Sequence, residues 1–486
     1  MKFSEHFQIN RTQLELDFVD RQLRNDLRLF IDPLRIATES DLFSRECKAI
    51  VRSFFQKVVD LARAEKDSEA LLLLAPLTEP RETGLGWSNG SDHGSGLGNE
   101  GAVDFYNKLK KSKALQTGMI EDIEVTAMLV HGIDKDIISD MLTKLIMNLL
   151  CQYTASQCVL WGVPMKHNKS YKSWNASKAE WVDHSAQLPE YAGEPLVLVP
   201  KALVCHRLSM DANKFTTFVM DQIDQGDPRM GVRLAELLRD RDLDVPRNKK
   251  GKLIRQKSRE LLKDIAKGSK NLALEFAQGD NNILKKYREN QRKNSECMTD
   301  SSIEAKQPNP KPLNITDTLN EIRGRTSSAS PHSDFHLDVI AGITASLHPL
   351  FKQPSKFCEQ EDTEVFTVSN AASRGVLYKA RKFEQNGTNT IERRPNLLIV
   401  TINEHLDGKK WKSINIQQLL ADSQSGGALL VAKSVSKSFM SLQNARGRTG
   451  IYILDTETFN DLLDIGSGED GIALAIDVFE ELSTIS

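Results

Sequence analysis

The sequence predicts an α+β N-terminal region, mostly helical, followed by a C-terminal α/β domain. Three observations predict it. Apolar residues recur at helical spacing through the first third of the chain. A basic stretch and then a Ser/Pro-rich stretch interrupt the pattern. In the last 150 or so residues, short apolar, β-branched runs alternate with helical segments, as strand–helix units of a largely parallel sheet do.

Taken in order, Ser44–Ala64 carries Ile50, Val51, Phe54, Phe55, Val58 and Leu61 at helical spacing. Leu71–Leu74 is too short for an amphipathic helix and reads as a buried strand. Gly84–Gly101 holds seven glycines and reads as a loop. Ile133–Tyr153 reads as one helix, with Asp134 as its N-cap, an apolar face from Ile137 to Tyr153, and Ser139, Asp140 and Thr143 on the opposite face. Pro195–Pro200 encloses a short buried strand. Further on, Phe335–Phe351 reads as a helix, Glu364–Ser369 as a strand and Leu397–Ile402 as a strand buried on both faces. Ile414–Ala421 and Ser434–Arg446 read as helices around the strand Ala428–Ala432. Gly450–Leu454 is a strand, and Asp455–Leu463 a helix capped by Asp455 or Thr456. The resulting division is 1–225, a mostly helical N-terminal domain with a few strands; 226–294, a basic helical connector; 295–333, a flexible linker; and 334–486, the α/β domain.

Composition narrows the function classes. Of 486 residues, 64 are Lys or Arg and 66 Asp or Glu, a formal net charge of −2, which excludes a chain basic throughout but not a local basic surface. No apolar run reaches the roughly 20 residues of a membrane span, and the N-terminus lacks an apolar signal region, so the expectation is a cytoplasmic protein with no membrane partner. The six cysteines are scattered without a C-x-x-C pair and read as buried or incidental thiols rather than a zinc site. His332 and His336, four apart, lack an obvious third ligand and read as surface histidines.

The glycine stretch lacks the Lys-Ser/Thr that a phosphate loop needs, so it reads as a surface loop around Trp87 rather than a nucleotide cradle. The Arg247–Lys293 stretch is different: it holds 15 Lys and Arg against 5 Asp and Glu, with Tyr287 interleaved. Such a density suits phosphate contacts, whose strength comes from counterion release. Lys249, Lys250, Lys252, Arg255, Lys257, Arg259, Lys285 and Lys286 are the nucleic-acid-binding candidates; the competing reading is a solvated helical face.

In the last third, Leu-His-Pro-Leu-Phe351 is followed by an acidic stretch, a strand ending Ser369-Asn370, the buried strand Leu397–Ile402, Gly427-Ala-Leu-Leu-Val-Ala-Lys433 and Thr449-Gly-Ile-Tyr-Ile-Leu-Asp455. This succession resembles the restriction-endonuclease-like (PD-(D/E)XK) fold, in particular the Mrr-like nucleases of bacterial defence, over residues 335–486. Gly132–Thr143 is similar to bacterial proteins associated with such nucleases. The resemblance implies a metal-dependent site of carboxylates and a lysine at the ends of two adjacent strands, where Mg²⁺ steadies charge developing on phosphorus. The first acid would fall where this chain has Val365, with Glu361, Asp362 and Glu364 alongside as metal-ligand candidates. The Glu-x-Lys slot holds Thr401-Ile-Asn403, neither a carboxylate nor an ammonium; Glu364, Glu404 and Lys409 are the substitutes at hand, with His405 beside them.

These features lead to a nucleic-acid-binding component of a bacterial anti-phage defence or DNA-processing system, its nuclease-like C-terminal domain non-catalytic. DNA or RNA is the expected partner, with a partner protein of the system possible and no cofactor required. The alternatives are an active Mg²⁺-dependent nuclease and an interaction scaffold without a nucleic-acid role.

Overall fold

The structure is a computed structural model of the chain. It describes residues 1–38, 42–78, 80–86, 99–112, 115, 123–130, 133, 135–225, 228–240, 243–244, 246–251, 254, 281–294, 298–327, 334–347, 363–369, 396–414, 416–417, 425–437 and 451–465. It is mixed α/β, helical in most of its N-terminal part and with a parallel three-strand unit in its C-terminal part.

The chain enters through α1 (Phe3–His6), β1 (Phe30–Ile31), α2 (Pro33–Thr38) and the long α3 (Leu42–Arg63). The apolar stripe of α3 is buried as its spacing predicts, with Phe54, Phe55 and Val58 in the core. The leucine run does not form a strand: it lies in α4 (Asp67–Leu74). Alanine and leucine are strong helix formers, and Asp67 and Glu69 favour the first turn. The helix buries one side only, so Leu74 is enclosed while Leu72 is 74% exposed.

Next come α5 (Asn99–Lys111), α6 (Ile123–Leu129), α7 (Lys135–Leu145) and α8 (Met147–Leu160). Gly101 thus lies inside α5, while residues 87–98 of the glycine stretch, Trp87 included, are outside the described residues. Gly84 has a reason to be glycine: its φ is +57°, and a Cβ there would sit 1.6 Å from the Arg21 guanidinium. The predicted Ile133–Tyr153 helix is two helices joined at Ile146 (φ −93°, ψ 11°), although the Ile146 N–H still donates to Leu142 O and the Leu150 N–H to Ile146 O, both at 3.0 Å. Its polar face is buried as well. Ser139 accepts from the Ile31 N–H, and the Thr143 hydroxyl donates to Ser139 O. Asp134 is outside the described residues.

Two hairpin-like pairs follow, β2 (His167–Asn175) with β3 (Glu180–Leu188), and β4 (Glu190–Tyr191) with β5 (Glu194–Pro195); β6 (Val204–Cys205) returns antiparallel to β1. Leu196–Val199 are buried as expected, but only Pro195 of that stretch belongs to a strand. Its amides find scattered acceptors: Leu196 donates to Pro189 O, Val197 to Glu82 O and Leu198 to Thr154 Oγ1.

Then come α9 (Ala212–Asp224), α10 (Pro228–Arg239), α11 (Asn281–Asn294), α12 (Asp300–Glu304), α13 (Ile315–Ser327) and α14 (Phe335–Leu347). Residues 298–327, which composition assigns to a linker, therefore carry two packed helices. Thr299 caps α12 by accepting from the Ser302 N–H at 3.1 Å. Ile303, Leu319 and Ile322 are buried. Ion pairs supply much of what local apolar surface lacks: Lys201 Nζ lies 2.8 Å from Asp300 and Lys2 Nζ 2.6 Å from Glu304.

The C-terminal sheet has strand order β10-β9-β8-β7, formed by β7 (Thr363–Ser369), β8 (Asn396–Leu406), β9 (Ser425–Val435) and β10 (Ile451–Asp455). β8, β9 and β10 are parallel; β7 is antiparallel on β8. The helix α15 (Gly408–Ser413) follows β8, and α16 (Thr456–Ile465) follows β10. Asp455 caps α16 as predicted, accepting from the Thr458 N–H and hydroxyl at 2.9 and 2.8 Å. On one face, Leu429 and Val431 pack with α13, α14 and α16. These helices meet at Gly342, where a Cβ would come within 3.2–3.3 Å of Ile322, Phe459 and Leu463. The opposite face packs Val400, Ile402, Leu430 and Ile453 against Ile414 and Ile416. The predicted helices after β8 and β9 lie mostly outside the described residues.

Candidate nucleic-acid interface

Among the described residues, the basic stretch reaches the surface at two places. In the turn after α10, Asn248 Oδ1 accepts from the Lys250 N–H at 2.9 Å, its carbonyl accepts from Gly251, and Arg247 donates to Gly251 O. This local hydrogen bonding leaves the Lys249 and Lys250 side chains exposed. The second place is α11. Its Ile283 and Tyr287 are fully buried, and the tyrosine ring lies 5.2 Å from Phe215 and 5.4 Å from Phe218. The Tyr287 hydroxyl sits 3.2 Å from Asp211 O, to which it donates, and burial pushes its pKa well up. Tyr287 is thus an anchor of the helix rather than a surface contact, correcting its reading as part of the basic face. With that side anchored, Lys285 and Lys286 stand exposed on the other. Lys252, Arg255, Lys257 and Arg259 lie outside the described residues.

The second candidate place is the carboxyl edge of the parallel strands, where open α/β sheets commonly bind ligands. Thr401 and Glu364 face each other in register across β8 and β7. The Thr401 side chain is fully buried, and its hydroxyl is 2.6 Å from His336 Nδ1 on α14. His336, read from sequence as a surface residue, is only 7% exposed. Its ring is thus hydrogen-bonded to the side chain that occupies this slot. Sequence alone gave no signal for that pairing, because it joins residues 65 apart.

After Ile402 the β8–β9 register shifts, a bulge that re-aims the end of the strand. Beyond it, Glu404 is ion-paired with Lys410, not with Lys409. Lys409 is exposed, and its N–H donates to Asp407 Oδ1 at 2.9 Å. That bond, with the one from the Lys410 N–H, caps α15 and holds the Asp407 carboxyl below its ordinary pKa. His405 Nδ1 lies 2.8 Å from Ser434 Oγ at the same edge. So Glu404, Lys409 and Lys410 share one strand–helix corner, with Glu364 on the neighbouring strand. Glu361 and Asp362 lie outside the described residues. Among the described residues, no three His, Cys, Asp or Glu side chains group as a metal site.

Sequence reasoning missed Lys433, the one charge in the apolar run of β9. Its Nζ donates to Thr326 O at 3.0 Å and sits 4.6 Å over the Phe335 ring, and burial lowers its pKa. Nearby, Asp338 accepts from Arg11 and Arg325, both at 2.7 Å, and Arg325 also reaches Glu15 at 2.5 Å. These contacts tie α13 and α14 to the N-terminal domain.

Cys47, Cys151, Cys158 and Cys205 are buried and form no disulfide among the described residues. Among the described residues, no helix is long and apolar enough to cross a membrane. No curated protein and no solved structure matches the chain. Residues 8–211 match a family described as a domain of unknown function, DUF8370, a span that ends before α9 and leaves the basic connector and the C-terminal sheet outside the match.

Proposed function

We propose that the protein is the nucleic-acid-binding component of a bacterial defence or DNA-processing system, and that its nuclease-like C-terminal domain serves recognition rather than cutting. The observation that carries this reading is α11: Ile283 and Tyr287 fix the helix in the core while Lys285 and Lys286 project into solvent. A rigid helix holding adjacent ammonium groups costs little side-chain reorganisation beyond the lysines themselves when it meets phosphates. The non-cutting part is supported by Thr401, buried under His336 in the slot where the resemblance expects an acid.

The test is binding of duplex DNA, single-stranded DNA and RNA between 50 and 200 mM salt, for the wild type and for Lys285→Glu/Lys286→Glu. The expected outcome is a steep fall of affinity with salt, with the log–log slope reduced by about 2 in the double variant, one for each lost phosphate contact. Equal affinity in the two proteins, or no binding, would leave the scaffold reading standing.

One observation favours the nuclease as a second reading: β7 and β8 bring Glu364 and Glu404 to neighbouring strands. Mg²⁺-dependent cutting that disappears in Glu364→Ala would establish it.

A further inference from the structure

Away from the sheet edge and the outer face of α11, the N-terminal domain opens a cleft of about 400 Å³ between α2, α3, the start of α6 and the end of α11. Its volume falls within the range of roughly 300–1,000 Å³ usual for small-molecule sites. Ile36, Val51, Phe55 and Ile123 form its apolar floor. Lys48, Arg52 and Arg292 bring cations to its wall, with Gln56 beside them.

The arrangement follows from helix geometry. Lys48, Arg52 and Gln56 are spaced i, i+4, i+8 on α3 and line one stripe, while Val51 and Phe55 stand next to it and face inward. The one carboxylate of the lining, Glu124, lies 3.2 Å from Arg288 Nε, a cation that does not line the cleft. Lys48 Nζ donates one hydrogen bond, to Ala37 O at 3.2 Å, which leaves an ammonium two further donors. Among the described residues, neither Lys48 nor Arg52 is ion-paired, and both side chains are exposed. A cleft with an apolar floor and a cationic wall is complementary to a ligand with an anionic end and an apolar, flat body. Planar guanidinium groups suit a phosphate in particular, by bidentate hydrogen bonding.

We propose that this cleft binds a small phosphate ester of mononucleotide size, with its phosphate held by Arg52, Lys48 and Arg292 and its ring against Val51 and Phe55. The inference does not rest on the nucleic-acid reading. Lys48 and Arg52 lie outside the basic stretch and inside the 8–211 family match; Arg292 belongs to the basic stretch, but Lys285 and Lys286, which carry the nucleic-acid reading, line no part of the cleft.

The test is calorimetry of the full chain with AMP, GMP, inorganic phosphate and adenosine, on the wild type, Arg52→Glu, Arg52→Lys and Lys285→Glu/Lys286→Glu. The expected result is saturable, one-to-one binding of AMP or GMP, at least tenfold weaker binding of adenosine, and a loss of tenfold or more in Arg52→Glu. Arg52→Lys should retain part of the affinity, and Lys285→Glu/Lys286→Glu should retain all of it. Arg52 is exposed, so its replacement leaves the core intact, and an unchanged unfolding midpoint would verify that. No binding of AMP, GMP or phosphate at millimolar concentration would overturn the proposal. Equal weakening in Arg52→Glu and Lys285→Glu/Lys286→Glu would overturn it too, since that pattern marks general charge attraction rather than a site.

Discussion

Charged pairs are used in opposite ways at two places in the molecule, the docking site of α12 and the edge of the C-terminal sheet. Where α12 docks on the N-terminal domain, two pairs are sealed from water: the Lys201 side chain is 0% and that of Asp300 3% exposed, and the Lys2–Glu304 pair is nearly as enclosed. At the edge of the C-terminal sheet, Glu404 keeps 38% of its side chain exposed and its partner Lys410 21%. A sealed pair must satisfy every hydrogen-bonding position. Lys201 does so, donating to Asp300 and approaching the carbonyls of Gln13 and Leu14 at 3.1 and 3.4 Å. An edge pair can exchange its partner for water or a ligand at little cost. The difference separates ions that fix how distant segments dock from ions that are available to a ligand.

The largest expected effect comes from breaking a sealed pair on one side. Lys201→Met leaves the Asp300 carboxylate buried without its lysine and should lower stability by about 3–5 kcal/mol. Lys201→Met/Asp300→Leu, which removes both charges and keeps the volume, should recover most of that loss. Urea unfolding of the two variants measures both values. A single variant losing less than about 1 kcal/mol, the level of a surface pair, would erase the contrast between the two regions.

A second sealed group sharpens the contrast through pH. Burial pushes the Asp20 carboxyl up to about 6 from 3.8, against the hydrogen bonds that Ser4 donates to it and the nearby charge of Lys2. With the folded pKa above the unfolded one, the native state holds the proton more tightly. The contribution is therefore complete below about pH 3.8 and is lost as pH rises through about 6. At 1.36 kcal/mol per pH unit, Asp20 should tilt stability downward by at most about 3 kcal/mol over that window. Asp20→Asn should remove this tilt while keeping the bond from the Ser4 N–H. Unfolding midpoints at pH 4, 5, 6 and 7 test it, and parallel profiles for the two proteins would refute it.

What the sequence revealed follows the same division. Elements set by local period were legible: the apolar stripe of α3, the run that becomes β8, and Asp455 with the helix it caps. The Leu71–Leu74 run misled because a half-exposed leucine helix and a short buried strand share one hydrophobic signature. The 298–327 segment misled for a deeper reason. Its order depends on Asp300 meeting Lys201, 99 residues away, and on Glu304 meeting Lys2, 302 residues away, and composition carries no trace of such pairings. The candidate site was legible as a charge density, and Lys285 and Lys286 stand on the surface as that density implies. Tyr287 and His336 were misplaced, because whether a ring is buried is decided by Phe215, Phe218 and Thr401, none of them near in sequence.

The smallest expected effect belongs to the edge. Glu404→Gln removes the charge facing Lys410 from a half-exposed pair, and stability should change by no more than about 1 kcal/mol. The same substitution acts on the surface potential. It takes a negative charge from the corner where α15 presents Lys409, Lys410 and Lys412. If this corner lies against a phosphate backbone, affinity should rise by up to about threefold at low salt and converge with the wild type at high salt, because a screened charge loses its reach. If the corner were instead the acid–lysine end of a working nuclease, Glu404→Gln would abolish metal-dependent cutting while leaving affinity nearly unchanged. One variant, measured for stability, binding and cutting, thus separates an edge that attracts a ligand from an edge that reacts with it.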